Sequence, residues 1–409
     1  MPSPPHLYAF GSNGSGQLGI GHTEDVSIPT RCLAYNDDDE EDGGENLFSR
    51  SNYAVSIDRI VAGGNHTLLL LSDRRVYAAG EGGDGRCGDG SLRDKDINGD
   101  GESENLVKRF RRVRIRDPEA GSRSGSGRSV YDTFEAVSAT WEATILVTSG
   151  VRDETERVGD GVFVVGSGAK GELGLGVGVL RADRAMKIPD FPPMGTGVVS
   201  VSSGMGHTVV VLSNGEVYGW GGARKGQLGA AAVGDKIVWS PVKIEGVPFP
   251  VSEVTCGREF TVLSGDKSAG EFAVLGSTGN KWNILSDVPS SEDVKGYLQI
   301  NASWHGVYIL RQDMSVIGWG RDDRGQLPPK ALGRVRDVAV GSEHAVALLQ
   351  GRSVVAFGWG EHGNCGPETD TQGNVKGAAT QIPVPVGVEV VGVGAGCATS
   401  WVIASRAAS

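Results

Sequence analysis

The sequence predicts an all-β protein, a seven-bladed β-propeller closed by pairing of its N- and C-terminal strands. Three observations lead there. Glycine is abundant and evenly spread between short apolar runs. Two short phrases alternate along the chain, seven copies of each. The first and last copies are halves that complete one another.

Glycine makes up 64 of 409 residues, more than twice the roughly 7% of ordinary usage. There is no three-residue period and only 17 prolines, so this is not a collagen pattern. Hydrophobic residues reach 39%, too many for a disordered linker. Many turns joining many short strands are the remaining explanation.

The first phrase is an apolar strand, a glycine, about five polar residues and Gly-Gln-Leu-Gly. It reads YAFGSNGSGQLG at 8–19, YGWGGARKGQLG at 218–229 and IGWGRDDRGQLP at 317–328. Looser copies are YAAGEGGDGRCG at 77–88, FVVGSGAKGELG at 163–174 and AFGWGEHGNCG at 356–366. The copy at 273–285 (AVLGSTGNKWNIL) has lost its second half. The second phrase places Gly-x-x-His, or a variant, between two apolar strands, at 63–71, 139–147, 204–212, 257–263, 302–310, 341–349 and 394–403. Such self-similarity marks a repeat fold.

The chain opens on a first phrase without its partner and closes on a second phrase without its own. A ring in which the N-terminal strand completes the last blade accounts for both and leaves no open sheet edge. The glycines supply tight turns, and the leucine is expected to plug the space between blades. The histidine column His66, His207, His305, His344 is read as structural, each ring satisfying nearby backbone groups. A ligand ring would not tolerate Glu142, Phe260 and Cys397 at the equivalent places.

Loop glycines Gly166, Gly221, Gly276, Gly320 and Gly360 are 55, 55, 44 and 40 residues apart, which is blade-sized. The longer gaps before Gly166 place surface insertions at about 35–52 and 91–128. The first holds the acidic run 37–42. The second has an acidic half and a basic half, KRFRRVRIR at 108–116, read as a solvated loop. Asp94, Asp96, Asn98 and Gly99 imitate the start of a calcium loop, but Asn105 stands where the bidentate Glu belongs, so no calcium is expected. The whole chain is read as one propeller domain.

A net charge of -11 argues against nucleic acid as a direct partner. Five scattered cysteines without a CxxC pair give neither a disulfide framework nor a zinc site. The N-terminus lacks a signal-peptide pattern and no apolar stretch is long enough to span a membrane. A cytoplasmic, possibly also nuclear, location is expected. No GxSxG, HExxH, P-loop or dinucleotide fingerprint is present. No enzyme, cofactor or metal is therefore expected.

The paired phrases, over essentially the whole chain, resemble the regulator-of-chromosome-condensation repeat family. Within it, the degenerate copy at 273–285, the ASWHG phrase at 302–306 and GWGEHGNCG at 358–366 resemble the fungal alpha-tubulin-suppressor type. That resemblance implies a non-catalytic heterodimer with a small zinc-binding CSL-type electron carrier. Through it the chain would support Elongator-dependent modification of wobble uridines in tRNA and diphthamide synthesis. The alternative, from the founder type, is a guanine nucleotide exchange factor or regulator of a Ran-like small GTPase.

The two positions between Gly and His lie on turns at one face of the ring. They are occupied by large or charged residues at Trp141, Arg258, Glu259, Trp304 and Glu343. Aromatics and arginine are common interface anchors, so these five form the predicted partner-binding set. The other reading of Trp141 and Trp304 is inward packing between blades. Trp220, Trp319 and Trp359 precede the loop glycine and are assigned to the core.

Overall fold

The computed structural model describes residues 6–35, 55–88, 105–116, 130–149, 151–153, 156–157, 160–277, 279 and 281–406. Seven antiparallel sheets follow one another around a ring. We number the blades by their innermost strands: Ile57–Ala62, Ala136–Ala139, Val198–Ser203, Glu253–Cys256, Gln299–Ala302, Val335–Val340 and Val388–Ala395. Each innermost strand touches the next, and the seventh touches the first. That circuit encloses a central channel.

The second strand of each blade is largely buried, and along its whole length in His66–Leu71, Ala143–Thr148 and His207–Leu212. Such a strand lies between two neighbouring blades, so both of its faces are apolar and it reads as a continuous run. Outer strands are mostly exposed, as in Arg181–Lys187, where only Ala182 and Ala185 are buried and a bulge interrupts the two-residue alternation. Apolar clusters fill all seven gaps between blades. Leu18, Leu173 and Leu228 sit in them as the expected plugs.

Blade 7 closes the ring. Its sheet runs Val26–Arg31, His6–Gly11, Thr399–Arg406, Val388–Ala395. The N-terminus thus contributes two strands, where one was expected. Blades 4 and 5 have three strands each. The truncated phrase of blade 4 accounts for the first. In blade 5, Pro328 ends the phrase and Pro329 follows it, and proline cannot donate to a sheet ladder.

The consensus residues have definite jobs. The glycine opposite the histidine, Gly221 facing His207, takes φ 99°, which excludes an L side chain. In blade 6 this position is Gly358, facing His344, not Gly360. In blade 4 it is Gly276, the residue after Leu275, which faces Thr261; Gly276 packs against Phe260, the counterpart of the histidine. The glutamine of Gly-Gln-Leu-Gly accepts the backbone N–H two residues earlier, as Gln17 does from Ser15 and Gln227 from Lys225, both at 2.9 Å.

The histidines link blades. Nε2 of His66, His207 and His344 meets the hydroxyl of Thr144, Thr261 and Ser400 at 2.9, 3.1 and 2.8 Å, each on the second strand of the following blade. Those hydroxyls donate to the carbonyls of Arg86, Gln227 and Asn364. They therefore accept from the imidazole, and Nε2 carries the proton. The expectation that these rings serve only nearby backbone is corrected accordingly.

The region 91–128 is not one surface insertion. Leu106–Arg112, inside the basic cluster, is the outer strand of blade 1, and Ile115–Arg116 pairs with Val130–Tyr131. Val107, Phe110, Val113 and Ile115 are buried, so the cluster alternates apolar-in with basic-out instead of forming a solvated loop. It also ties blade 1 to blade 7. Phe110 N–H donates to Leu33 O at 2.8 Å and Tyr35 N–H to Phe110 O at 2.9 Å. The remaining parts of both predicted insertions, with the calcium-like loop at 94–105 up to residue 104, lie outside the described residues.

Candidate protein-docking face at the channel mouth

The turn between the first and second strands of every blade opens on one face. Backbone hydrogen bonds fix its register: Gly63 N–H donates to His66 O, Thr140 to Ala143, Gly204 to His207, Gly257 to Phe260, Ser303 to Gly306, Gly341 to His344 and Gly396 to Thr399. In blades 2 and 5 the turn therefore begins one residue later than the sequence phrase suggests, and in blade 7 two later. His305 accordingly leaves the buried histidine column.

The corrected register gives the first turn position to Gly64, Trp141, Met205, Arg258, Trp304, Ser342 and Cys397. These residues form a belt. Gly64 N–H donates to Trp141 O, Trp141 to Met205, Arg258 to Trp304 and Trp304 to Ser342, at 2.9 to 3.2 Å. Backbone at the channel mouth is thus satisfied between blades, and the side chains are free to project from it.

Two of them meet. Trp141 from blade 2 and Trp304 from blade 5 lie with ring centroids 5.7 Å apart, tilted by 46°, a favourable aromatic geometry. The Arg258 guanidinium stands 5.0 Å over the Trp304 ring, within cation–π range. All three are half-buried. The pair lines a cavity of about 150 Å³ in the channel, with Ser203, Cys256, Ser342 and Cys397 also in its wall.

The other predicted residues part company. Glu259 is exposed on the rim, beside Arg258. Glu343 is 5% exposed and cannot present itself to a partner. Its carboxylate accepts from Arg321 at 2.8 Å and Gln326 at 2.8 Å, and meets His305 Nδ1 at 3.2 Å. Burial pushes its carboxyl up, but the bonds from His305, Gln326 and Arg321 outweigh this and hold it below the usual range. Glu343 is a structural hub.

Trp282 was missed. It lies in the degenerate copy at 273–285, with Lys281 4.1 Å and Arg321 5.0 Å from its ring, and His305 6.2 Å away. Trp359, expected in the core with Trp220 and Trp319, is half-buried instead. It carries Arg324 at 5.3 Å. Trp220 and Trp319 are buried as expected.

The channel offers little to chemistry. Burial pushes the Cys256 and Cys397 thiols up to about 12, so neither is a thiolate nucleophile near neutral pH. Desolvation lowers His66 to about 3 and His207 and His344 to about 4, leaving them uncharged. Among the described residues no group of three or more His, Cys, Asp or Glu is placed to hold a metal ion, and no helix is long and apolar enough to cross a membrane.

Comparison with known proteins fits this architecture. The model of the regulator of chromosome condensation (RCC1) repeat matches residues 6–70 and 214–264, and a second model of the same repeat matches 57–86 and 198–227. An RCC1 repeat-containing protein of Schizosaccharomyces pombe is 28% identical over 97% of this chain and 98% of its own length. The secretion-regulating guanine nucleotide exchange factor of Mus musculus is 24% identical over 95% of this chain and 82% of its own. The fold is that of Prp20p from Saccharomyces cerevisiae, with TM-score 0.69 and 18% identity over 99% of this chain and 92% of that one. Human WBSCR16 is similar at TM-score 0.68 and 18% identity, covering 99% and 100%. This chain is a seven-bladed propeller whose residues 6–86 and 198–264 match the regulator-of-chromosome-condensation repeat.

Proposed function

We propose that the chain is a non-catalytic docking propeller that binds a protein partner over the channel mouth, and that the partner is a small GTPase of the Ran class. One observation carries the docking reading: Trp141, Trp304 and Arg258 converge at turn positions where other blades have Gly64, Ser342 and Cys397. Half-buried tryptophans stacked with an arginine are the residue types that dominate binding hot spots. The GTPase is supported by the mouse relative, a named guanine nucleotide exchange factor that matches 95% of this chain. Exchange regulation needs a docking surface and no nucleophile, which suits a channel mouth with protonated thiols.

A second partner has its own support. The ASWHG and GWGEHGNCG phrases resemble the alpha-tubulin-suppressor type, and the fission-yeast relative matches this chain nearly end to end. On that reading the partner is the small zinc-binding CSL-type carrier, and through it Elongator.

Capture on the tagged full chain, followed by mass spectrometry, separates the two. Recovery of a small GTPase whose nucleotide release the chain accelerates is the expected result. A small zinc protein recovered without a GTPase establishes the second partner instead. If Trp141→Ala with Trp304→Ala retains whatever the wild type captures, at unchanged melting temperature, docking at this mouth is excluded.

A further inference from the structure

Beside the channel mouth a second cleft, of about 480 Å³, runs between the turns of blades 3 and 4. Its lining is unusual for a chain of net charge -11. Lys170, Arg224, Lys225, Lys236 and Arg258 all reach it, against only Asp235 and Glu259. Among the described residues none of the five cations makes an ion pair with a carboxylate. The floor is apolar, with Met205, Ile237 and Trp239.

We propose that this cleft binds an acidic peptide segment of a protein partner, one apolar side chain resting against Trp239 and Met205 between flanking carboxylates. The proposal rests on the reading of this face as the docking face and names the chemistry that would occupy it. Uncompensated cations gathered in a concave site steer and hold an anionic partner. Arginine can pair with a carboxylate bidentately, and lysine adds a point charge. An apolar floor with a few polar groups suits a side chain, and the volume suits a short segment. Asp235 and Glu259 on the same walls disfavour a polyphosphate backbone, which presents charge continuously and has no apolar residue for the floor.

A backbone feature points to the same place. Lys236 is held at φ 61°, a left-handed conformation that lysine rarely adopts. It is fixed there by its carbonyl, which accepts from Ala223 N–H at 2.9 Å, and by its own N–H, which donates to Val233 O at 3.3 Å. Arg74, Asp190, Asn283, Met314 and Arg352 share this conformation elsewhere, and Lys236 is the one that lines the cleft. Glycine there would relieve the strain and remove the charge.

The test uses the full chain and a short fluorescein-labelled peptide of glutamates flanking one leucine, read by fluorescence anisotropy. The peptide is expected to bind, to weaken as salt rises, and to lose affinity about tenfold or more in Arg224→Glu with Lys225→Glu. Both residues are exposed, so the melting temperature should not move. Lys236→Gly should weaken binding a few-fold while leaving the fold as stable or more so. Three outcomes overturn the proposal: equal binding of the matched glutamine peptide, undiminished binding by the charge-reversed variant, or tighter binding of a single-stranded oligonucleotide. Trp141→Ala tells the two readings apart. It should leave peptide binding intact while abolishing partner capture; if capture persists and the peptide still depends on Arg224 and Lys225, the cleft stands and docking at the mouth falls.

Discussion

The ring of Phe260 occupies the space that a Cβ on Gly257 would need: Cε1 lies 2.0 Å from that point. The same relation joins Gly63 to His66, Gly204 to His207 and Gly341 to His344, at 2.2, 2.5 and 2.4 Å. In blades 2 and 5 the ring is absent and so is the glycine, whereas in blade 7 Gly396 precedes Thr399 and is crowded by Ala62 instead. Blade 2 has Thr140 with Ala143, blade 5 has Ser303 with Gly306, and Thr140 Oγ1 accepts the Ala143 N–H at 3.1 Å. In blades 1, 3 and 6 the next blade's carbonyl (Thr140, Gly257, Gly396) crowds the same point, but at Gly257 the three nearest atoms all belong to the Phe260 ring.

That dependence predicts a non-additive pair. Gly257→Ala should cost about 1–3 kcal/mol by overpacking, and Phe260→Ala about 3–5 kcal/mol by the cavity it leaves. The double variant should be no less stable than Phe260→Ala alone, because the clash has gone. Urea unfolding of the four proteins measures the coupling; simple additivity would mean that the ring does not hold the glycine.

Acid should weaken the ring through its inter-blade histidines. His207 is about 4 in the folded chain, and its ordinary value is 6.5. Below pH 6.5 the unfolded chain takes up a proton that the folded one refuses, so stability present at neutral pH is lost as pH falls toward 4. The loss amounts to roughly 3 kcal/mol for such a shift when complete. His66 and His344 act with the same sign. The melting temperature should fall steadily from pH 7 to pH 5, less steeply in His207→Gln. A pH-independent melting curve would contradict the buried, neutral assignment.

Removing the Glu343 carboxylate should damage the fold before it affects any partner. Glu343→Ala removes the acceptor of Arg321 Nη1 and one of the two acceptors of Gln326 Nε2, which keeps Asp323, at a cost of about 2 kcal/mol. Thermal melts should drop for Glu343→Ala and hardly at all for Glu259→Ala, whose side chain is exposed. Equal melting of the two variants would return Glu343 to the surface set.

Blade count, closure and the mouth tryptophans were legible because they ride on repetition. The pairing of Trp141 with Trp304 was not, since residues 163 positions apart become neighbours only when the ring shuts. A one-residue error of register in blades 2 and 5 hid the belt for another reason: the phrase there has lost both the glycine and the histidine that anchor it. The basic cleft was invisible because Lys170, Arg224 and Lys225 fill the variable polar places of the first phrase, where any hydrophilic residue satisfies the turn. Strand Leu106–Arg112 was misread because charge dominates its composition, although Val107 and Phe110 already mark a buried side.

That strand gives the last prediction. Phe110 is fully buried, its ring lies 2.4 Å from where a Cβ on Gly19 would be, and its backbone bonds to Leu33 and Tyr35. It therefore seals the seam between the first blade and the blade that closes the ring. Phe110→Ala should cost about 3–5 kcal/mol, and deleting 106–112 should prevent ring closure, because the edge of blade 1 and the crossing from blade 7 are lost together. Circular dichroism melts of both variants measure this. Near-wild-type stability in the deletion would mean that the basic segment is an ornament on the ring and not part of its seam.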